Sequence, residues 1–363
     1  MGGVISTMQD LSFFKGKRVF LTGHTGFKGS WMSRILVTNG AILTGFSLMP
    51  PTEPNLFELA DISDKMTSAI GDIRDEEALW EAFSNAQPEI VIHMAAQPLV
   101  RDSYKEPAYT YETNVMGTVN ILECVRRYGK VKSFLNVTTD KVYKNNEWQW
   151  GYRENEPLDG FDPYSNSKSC SELVTHSYKA SFFADSMTAI STARAGNVIG
   201  GGDFATDRII PDCVRAAKKG EDIIVRNPNS TRPYQHVLEP VFAYLMIVEA
   251  QYKDPSLASW YNVGPDDCDC VNTGDLVDLF CEKWGNGLSR LDKSDSNGPH
   301  EANYLKLDSS KLKTTFGWCP TWHIEETIFR VCEWTRAYFN GESIPDVMDK
   351  QIKAFVNQVN QYK

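Results

Sequence analysis

The chain predicts an α/β protein: a doubly wound parallel sheet followed by a smaller C-terminal domain. Three observations carry that prediction. Short apolar runs alternate with amphipathic stretches from residue 18 to residue 193, a glycine-rich loop joins the first run to the stretch behind it, and the texture changes after Gly196.

Taken in order, Arg18–Thr22 (RVFLT) reads as strand one and Phe27–Thr38 as the helix after it. Residues 41–47 (AILTGFS) form strand two and 67–70 strand three, followed by a helix over 75–86. Residues 90–93 are strand four, 110–128 a long helix, and 132–137 (KSFLNV) strand five. Pro163 precedes a helix from Tyr164 to about Phe183, and 188–193 (TAISTA) is strand six. Gly200-Gly201-Gly202 and Asn227-Pro228-Asn229-Ser230 then break the alternation. The boundary falls between a first domain over 1–196 and a mostly helical one over 197–363, with some later strands returning to the main sheet. There is no fixed-period repeat and no low-complexity tract.

Composition excludes several classes. A net charge of −10 argues against binding a nucleic-acid backbone, though not against a small anion held by a local cluster of donors. No apolar run approaches the roughly 20 residues needed to span a bilayer. Met1–Lys17 carries Asp10 and lacks an apolar core, so no signal peptide is expected. The eight cysteines are scattered. Only Cys268-Asp269-Cys270 is close-set, without a second pair or a histidine at zinc spacing, so reduced thiols in a cytoplasmic protein are expected and no metal.

Gly23-His24-Thr25-Gly26-Phe27-Lys28-Gly29 follows strand one directly and opens the first helix. Glycines at 23 and 26 let backbone amides approach a pyrophosphate, Gly29 lets the helix pack on the sheet, and the helix N-terminus faces the anion. This is the context of a Rossmann-type dinucleotide site, and the G-x-x-G-x-x-G spacing points to short-chain dehydrogenases. Gly23, Thr25, Gly26, Phe27 and Gly29 are its expected cofactor-binding positions. The acid that usually holds an adenosine ribose roughly 20 positions on is missing, since strand two ends at Phe46-Ser47-Leu48. No basic residue follows that strand either; Lys28 could hold a 2′-phosphate or be a solvated surface lysine. NAD is the expected cofactor.

Tyr164 and Lys168 lie four residues apart on one helical face, 135 positions beyond Gly29. A phenol titrates near pH ~10 and a neighbouring cation favours phenolate, which makes the pair a usable base. Before it, strand five runs out into Asn136-Val137-Thr138-Thr139-Asp140-Lys141. Here the chain resembles the nucleotide-sugar 4,6-dehydratases of the extended short-chain dehydrogenase/reductase family. Most of that family carries Thr-Asp-Glu; Thr139-Asp140-Lys141 looks like the branch acting on CDP-glucose. The resemblance covers nearly the whole chain. It takes in Asp72-Ile73 as the adenine-contacting pair, Ala95-Ala96-Gln97 as a cofactor-binding turn, Arg194-Ala-Gly-Asn197, Arg208-Ile-Ile-Pro211, Thr231-Arg-Pro-Tyr-Gln-His236, Tyr261-Asn-Val-Gly264, and Leu307-Asp308 with Gly317-Trp318-Cys-Pro320.

The resemblance implies a doubly wound Rossmann-type sheet with a C-terminal substrate-binding domain, and a role for each motif residue. Tyr164 takes the proton of the sugar 4-hydroxyl, Lys168 lowers the tyrosine's pKa and holds the nicotinamide ribose, and Thr139 hydrogen-bonds the 4-oxygen. Asp140 is the acid for the departing 6-hydroxyl and Lys141 the base at C5. Arg194, Asn197, Arg208, Arg232 and His236 are the expected substrate-binding residues. Relatives pair through the Tyr-Lys helix, implying a homodimer or homotetramer. An epimerase of the same superfamily and a non-catalytic cofactor-binding protein are the alternatives. The aromatic segment 146–152 (NEWQWGY) reads as either a lid or a contact surface.

Overall fold

Strand β1 (Arg18–Thr22) is buried at four of its five positions, and β4 (Ile90–His93), β5 (Ser133–Val137) and β6 (Ala189–Ala195) at every position. Continuous burial of this kind is what central parallel strands covered on both faces require. The protein's structure, a computed structural model, describes residues 11–293 and 303–361; the first ten residues of the segment read for a signal peptide lie outside the described residues. Strands β2 (Ile42–Ser47), β3 (Thr67–Ile70) and β7 (Trp260–Val263) complete a seven-stranded sheet in the order β7-β6-β5-β4-β1-β2-β3, with every pairing parallel.

The strand order reverses between β1 and β4, which opens a crevice at their carboxyl ends. Register makes those ends level: Thr22 lies opposite His93, His93 opposite Asn136, and Asn136 opposite Thr192. The glycine loop, the turn after β4, Thr138–Lys141 and the residues after Ala195 therefore leave the sheet along one edge.

Helices α1 (Phe27–Thr38), α2 (Glu76–Ala86) and α4 (Pro163–Phe182) fall where the periodicity places them. The long helix expected over 110–128 is compound. It starts at Pro107, whose missing N–H suits a first helical position, passes through a π turn over Glu112–Met116, and continues as α3 (Gly117–Tyr128).

Beyond residue 197 the chain contributes to two cores. Helix α6 (Leu238–Lys253) is apolar nearly all round and packs with Leu135, Val137 and Ala193 of the main sheet, beside the returning β7. Helices α5 (Ile209–Lys219), α7 (Thr273–Trp284) and α8 (Ile324–Phe339) enclose a separate cluster around Ile210, Phe280 and Ile328. The last helix, α9 (Ile344–Gln361), returns to α1, where Asp349 accepts two hydrogen bonds from Arg34 at 2.9 and 2.7 Å. Among the described residues no helix is long and apolar enough to cross a membrane.

Candidate active site

The loop after β1 is shaped by two glycines. Gly23 has φ 79°, and a Cβ there would meet the Ala95 amide nitrogen at 2.8 Å; a Cβ on Gly29 would meet the Gly23 carbonyl at 2.0 Å. Gly26 caps α1 without a side-chain hydrogen bond, so no side chain of the cap competes for the amides of the first turn. The cradle therefore fits a pyrophosphate, with the positive end of the helix dipole aimed at it. Thr25 closes the loop onto the end of β2, donating to Leu48 O at 2.9 Å beside the Ser47 hydroxyl. His24 is a packing residue: its Nε2 pairs with Ser68 at 2.7 Å and burial pushes its pKa down to about 4. Asp72 stands past β3 with its carboxylate on Arg74 at 2.8 Å, next to buried Ile73, and the Ala95 amide donates to Thr22 Oγ1 at 3.1 Å, with Ala96 following in the same turn.

Across the crevice, Asp162 caps α4 and accepts from the Ser165 amide at 3.0 Å, which fixes the start of the helix and the direction of Tyr164. Desolvation raises the Tyr164 phenol to about 12; hydrogen bonding with Thr139 pulls it down, Asp140 pushes it up, and Arg208 opposes Asp140. Thr139 in turn donates to Asp140 Oδ1 at 2.9 Å and accepts from the Lys141 amide at 3.4 Å. Asp140 is 1% exposed and also accepts from Asn197 Nδ2 at 3.2 Å. Asn197 adopts φ 44°, and a Cβ on the preceding Gly196 would lie 1.9 Å from Asp140 Oδ2, so the backbone here is shaped around this carboxylate. Asp140 is therefore held in place away from solvent. Among the described residues the partly buried Lys141 side chain has neither a hydrogen bond nor an ion pair.

Three expectations need correction. Lys168 does not lean on Tyr164: its Nζ donates to Val137 O at 3.2 Å, and burial together with the charge of Lys28 pushes its pKa down to about 7 against the pull of Glu172. Arg194 is fully buried. It donates to Glu172 at 2.9 Å and to the Tyr143 hydroxyl at 2.8 Å, so it braces the sheet and cannot contact a diphosphate. His236 is equally buried, edge-on to Trp31 and Trp322, accepting from the Leu238 amide at 3.2 Å; burial holds its pKa down at about 3. Asn197, another residue expected at the substrate, donates to Asp140 at 3.2 Å. Arg208 faces the site, where its charge acts on Tyr164 and Lys28 while Asp203 pairs with it at 2.9 Å. Arg232 donates to Thr231 O at 2.9 Å in the strand Thr231–Pro233.

Lys28 is the functional neighbour that sequence reasoning missed. It does not stand free in solvent. It looks into the catalytic group, where desolvation and Arg208 push it down to about 8 and Asp140 opposes them. Segment 146–152 is not a lid: Tyr152 stacks on Tyr143 with ring centroids 5.2 Å apart, Trp148 covers Tyr152, and Leu305 and Leu307 close the cluster, leaving Trp150 exposed.

The Glu172–Arg194 pair behind Lys168 gives a stability prediction. Burial opposes the Glu172 charge, yet Arg194, His176 and Thr138 outweigh it and hold the pKa down at about 2. Glu172→Ala leaves a guanidinium buried without its carboxylate, so unfolding in urea is expected to show a loss of about 3–5 kcal/mol. An unchanged midpoint would contradict this bracing role.

A parallel sheet with a glycine cradle on one side of its crevice and a Tyr-Lys helix on the other defines an extended short-chain dehydrogenase/reductase. The family model described as GDP-mannose 4,6 dehydratase matches residues 20–331, and the chain belongs to that family. It is 48% identical to a CDP-glucose 4,6-dehydratase of Salmonella typhimurium, over 96% of this chain and 99% of the relative. It is 28% identical to a dTDP-glucose 4,6-dehydratase of Shigella flexneri, over 89% and 94%. Among solved structures, a UDP-glucose 4-epimerase of Thermotoga maritima with UDP-glucose superposes with a TM-score of 0.77 at 23% identity, covering 88% of this chain and 99% of that one. A dTDP-glucose 4,6-dehydratase of Bacillus anthracis in complex with NAD gives 0.75 at 22%, covering 89% and 98%. These two likenesses define the fold.

Proposed function

We propose that the protein is an NAD-dependent hydro-lyase that converts CDP-D-glucose to CDP-4-keto-6-deoxy-D-glucose by transient oxidation at C4, loss of water across C5 and C6, and reduction at C6. The observation that carries this reading is the connected group Tyr164–Thr139–Asp140, with Lys141 beside it, on the same sheet edge as the glycine cradle. The glycine loop, Asp72-Ile73 and Ala95-Ala96 would hold the cofactor. NAD, when bound there, would supply the hydride acceptor for C4 and the hydride donor for C6.

The residues of the chain move the protons. Tyr164 takes the proton of the 4-hydroxyl, and Thr139 holds the 4-oxygen. The C4 ketone acidifies C5; Lys141 removes the C5 proton while Asp140 protonates the 6-oxygen, so hydroxide leaves C6 as water and the C5–C6 double bond forms, and the protonated Lys141 returns its proton to C5 as C6 is reduced. Lys28 and Arg208 supply positive charge at this centre. Arg208 and Arg232 remain the arginines offered to the nucleotide diphosphate, since their planar forks suit phosphate oxygens, and residues from 197 onward supply the substrate half. A 4-epimerase would use Tyr164 and Lys168 but would have no task for a carboxylic acid held as Asp140 is.

On this reading the enzyme works in the cytoplasm as a homodimer or homotetramer paired through α4 and supplies an activated deoxysugar precursor for lipopolysaccharide O-antigen. Mass spectrometry with CDP-, dTDP-, UDP- and GDP-glucose tests the reading. CDP-glucose is expected to lose one water with the highest kcat/KM. A higher value for dTDP-glucose would overturn the branch assignment, and a product of unchanged mass would favour the epimerase.

A further inference from the structure

Cys268-Asp269-Cys270, the one close-set thiol pair of the sequence, has no part in the proposed reaction. The fold brings a distant residue to it. Asp269 closes the short 3-10 turn Asp267–Asp269 in the loop after β7, and His323 is the N-cap residue of α8. The His323 Nδ1 lies 2.7 Å from Asp269 Oδ2, the Cys268 Sγ lies 3.8 Å from the same oxygen, and all three donor atoms fall within 4.8 Å of one another. Asp269 is 3% exposed and its other oxygen accepts from the Ile324 amide at 2.9 Å, so the carboxylate is held in place; Cys268 and His323 are open to solvent.

Charge at this turn is unevenly matched. Asp266 pairs with Lys313 and Asp267 with Lys306, whereas among the described residues the only ion-pair partner of buried Asp269 is the His323 imidazole. Glu239, also buried nearby, adds a carboxyl that desolvation raises to about 8, with Asp269 and Asp266 pushing the same way. The Cys268 thiol donates to the same Asp269 oxygen that pairs with His323, so one fixed carboxylate gathers a thiol and an imidazole at chelating distance.

We infer that Cys268, Asp269 and His323 form a binding site for a borderline-soft divalent cation, Zn²⁺ in class, which clips the loop after β7 to the start of α8. From ordinary zinc bond lengths, a tetrahedral site has sulfur–oxygen and nitrogen–oxygen edges of about 3.6 and 3.4 Å. The present 3.8 Å sulfur–oxygen spacing already matches, and the 2.7 Å contact lengthens by about 0.7 Å as the metal replaces the shared proton. Binding releases the thiol proton, and the fourth position is left to water. The donor set selects against Mg²⁺ and Ca²⁺, which take oxygen ligands.

The test uses the full-length protein, treated with chelator and then titrated with Co²⁺ as the spectroscopic probe. One equivalent is expected to give the visible bands of tetrahedral cobalt and a thiolate-to-cobalt charge-transfer band, both displaced by Zn²⁺, and Zn²⁺ is expected to raise the Tm. Cys268→Ser is expected to abolish the charge-transfer band and His323→Ala to weaken binding at least tenfold. Cys281→Ser, on α7, leaves both unchanged. Both site residues are exposed, and circular dichroism verifies that the variants are folded. Absence of the bands in the wild-type protein, or their survival in folded Cys268→Ser, overturns the site. Neither result bears on the dehydratase reading, which shares no residue with it.

Discussion

Tyr164→Phe is expected to lose turnover by about 10²- to 10⁴-fold, the range of a removed general acid–base group. Phenylalanine keeps the ring and its packing but deletes the oxygen proposed to take the 4-hydroxyl proton. The loss is confined to chemistry because Thr139 still donates to Asp140 and still accepts from the Lys141 amide, so the turn after β5 keeps its shape. The measurements are kcat by mass-spectrometric detection of water loss, cofactor affinity and Tm, with only the first expected to change. Turnover near that of the wild type would remove Tyr164 from the base position. It would also recast the pairing with Thr139 as purely structural.

How much of this site was legible in the sequence depends on what each residue type needs. Central strands such as Ser133–Val137 and Ala189–Ala195 are buried on both faces, so they appear as unbroken apolar or small-residue runs. The glycines are legible because a close backbone approach admits no side chain, as the 2.0 Å clash at Gly29 shows. Tyr164 and Lys168 are legible as a spacing. What a spacing does not specify is the direction in which each side chain points once the helix has docked, and Lys168 points at Val137 O. Arg194 and His236 read as substrate residues because they lie in recognisable motifs. Both occur in strands buried at every position, and inside the protein Arg194 meets Glu172 and His236 meets a pair of tryptophans.

The residues that went unread share one cause. Lys28 sits on the first helix, and its neighbours Asp140, Lys168 and Arg208 come from three other segments of the chain. His323 is more than fifty positions from Cys268 and meets it only because α8 begins beside the loop after β7. No local periodicity records such meetings. They follow from the order of strands in the sheet and from the return of β7 to its edge, which brings segments of the C-terminal half alongside the first.

Lys141→Met is expected to separate the two halves of the reaction. The side chain has no partner among the described residues, so replacing it removes charge and a proton acceptor while breaking no contact, and Tm should be unchanged. Tyr164, Thr139 and the cofactor cradle are untouched, so oxidation at C4 proceeds and a reduced-nicotinamide absorbance should build up on the enzyme. If Lys141 is the base at C5, exchange of the C5 proton with deuterated water falls by about 10²- to 10⁴-fold, and overall dehydration falls with it. Asp140→Asn gives the contrasting result: it loses the proton needed by the departing 6-hydroxyl, so dehydration is reduced more than C5 exchange. A lysine serves as a base only when neutral, so the exchange measurement decides the role directly. C5 exchange in Lys141→Met at close to the wild-type rate would take the base role from Lys141. Its charge would then serve to position the 6-oxygen for Asp140, and the C5 proton would pass to another group.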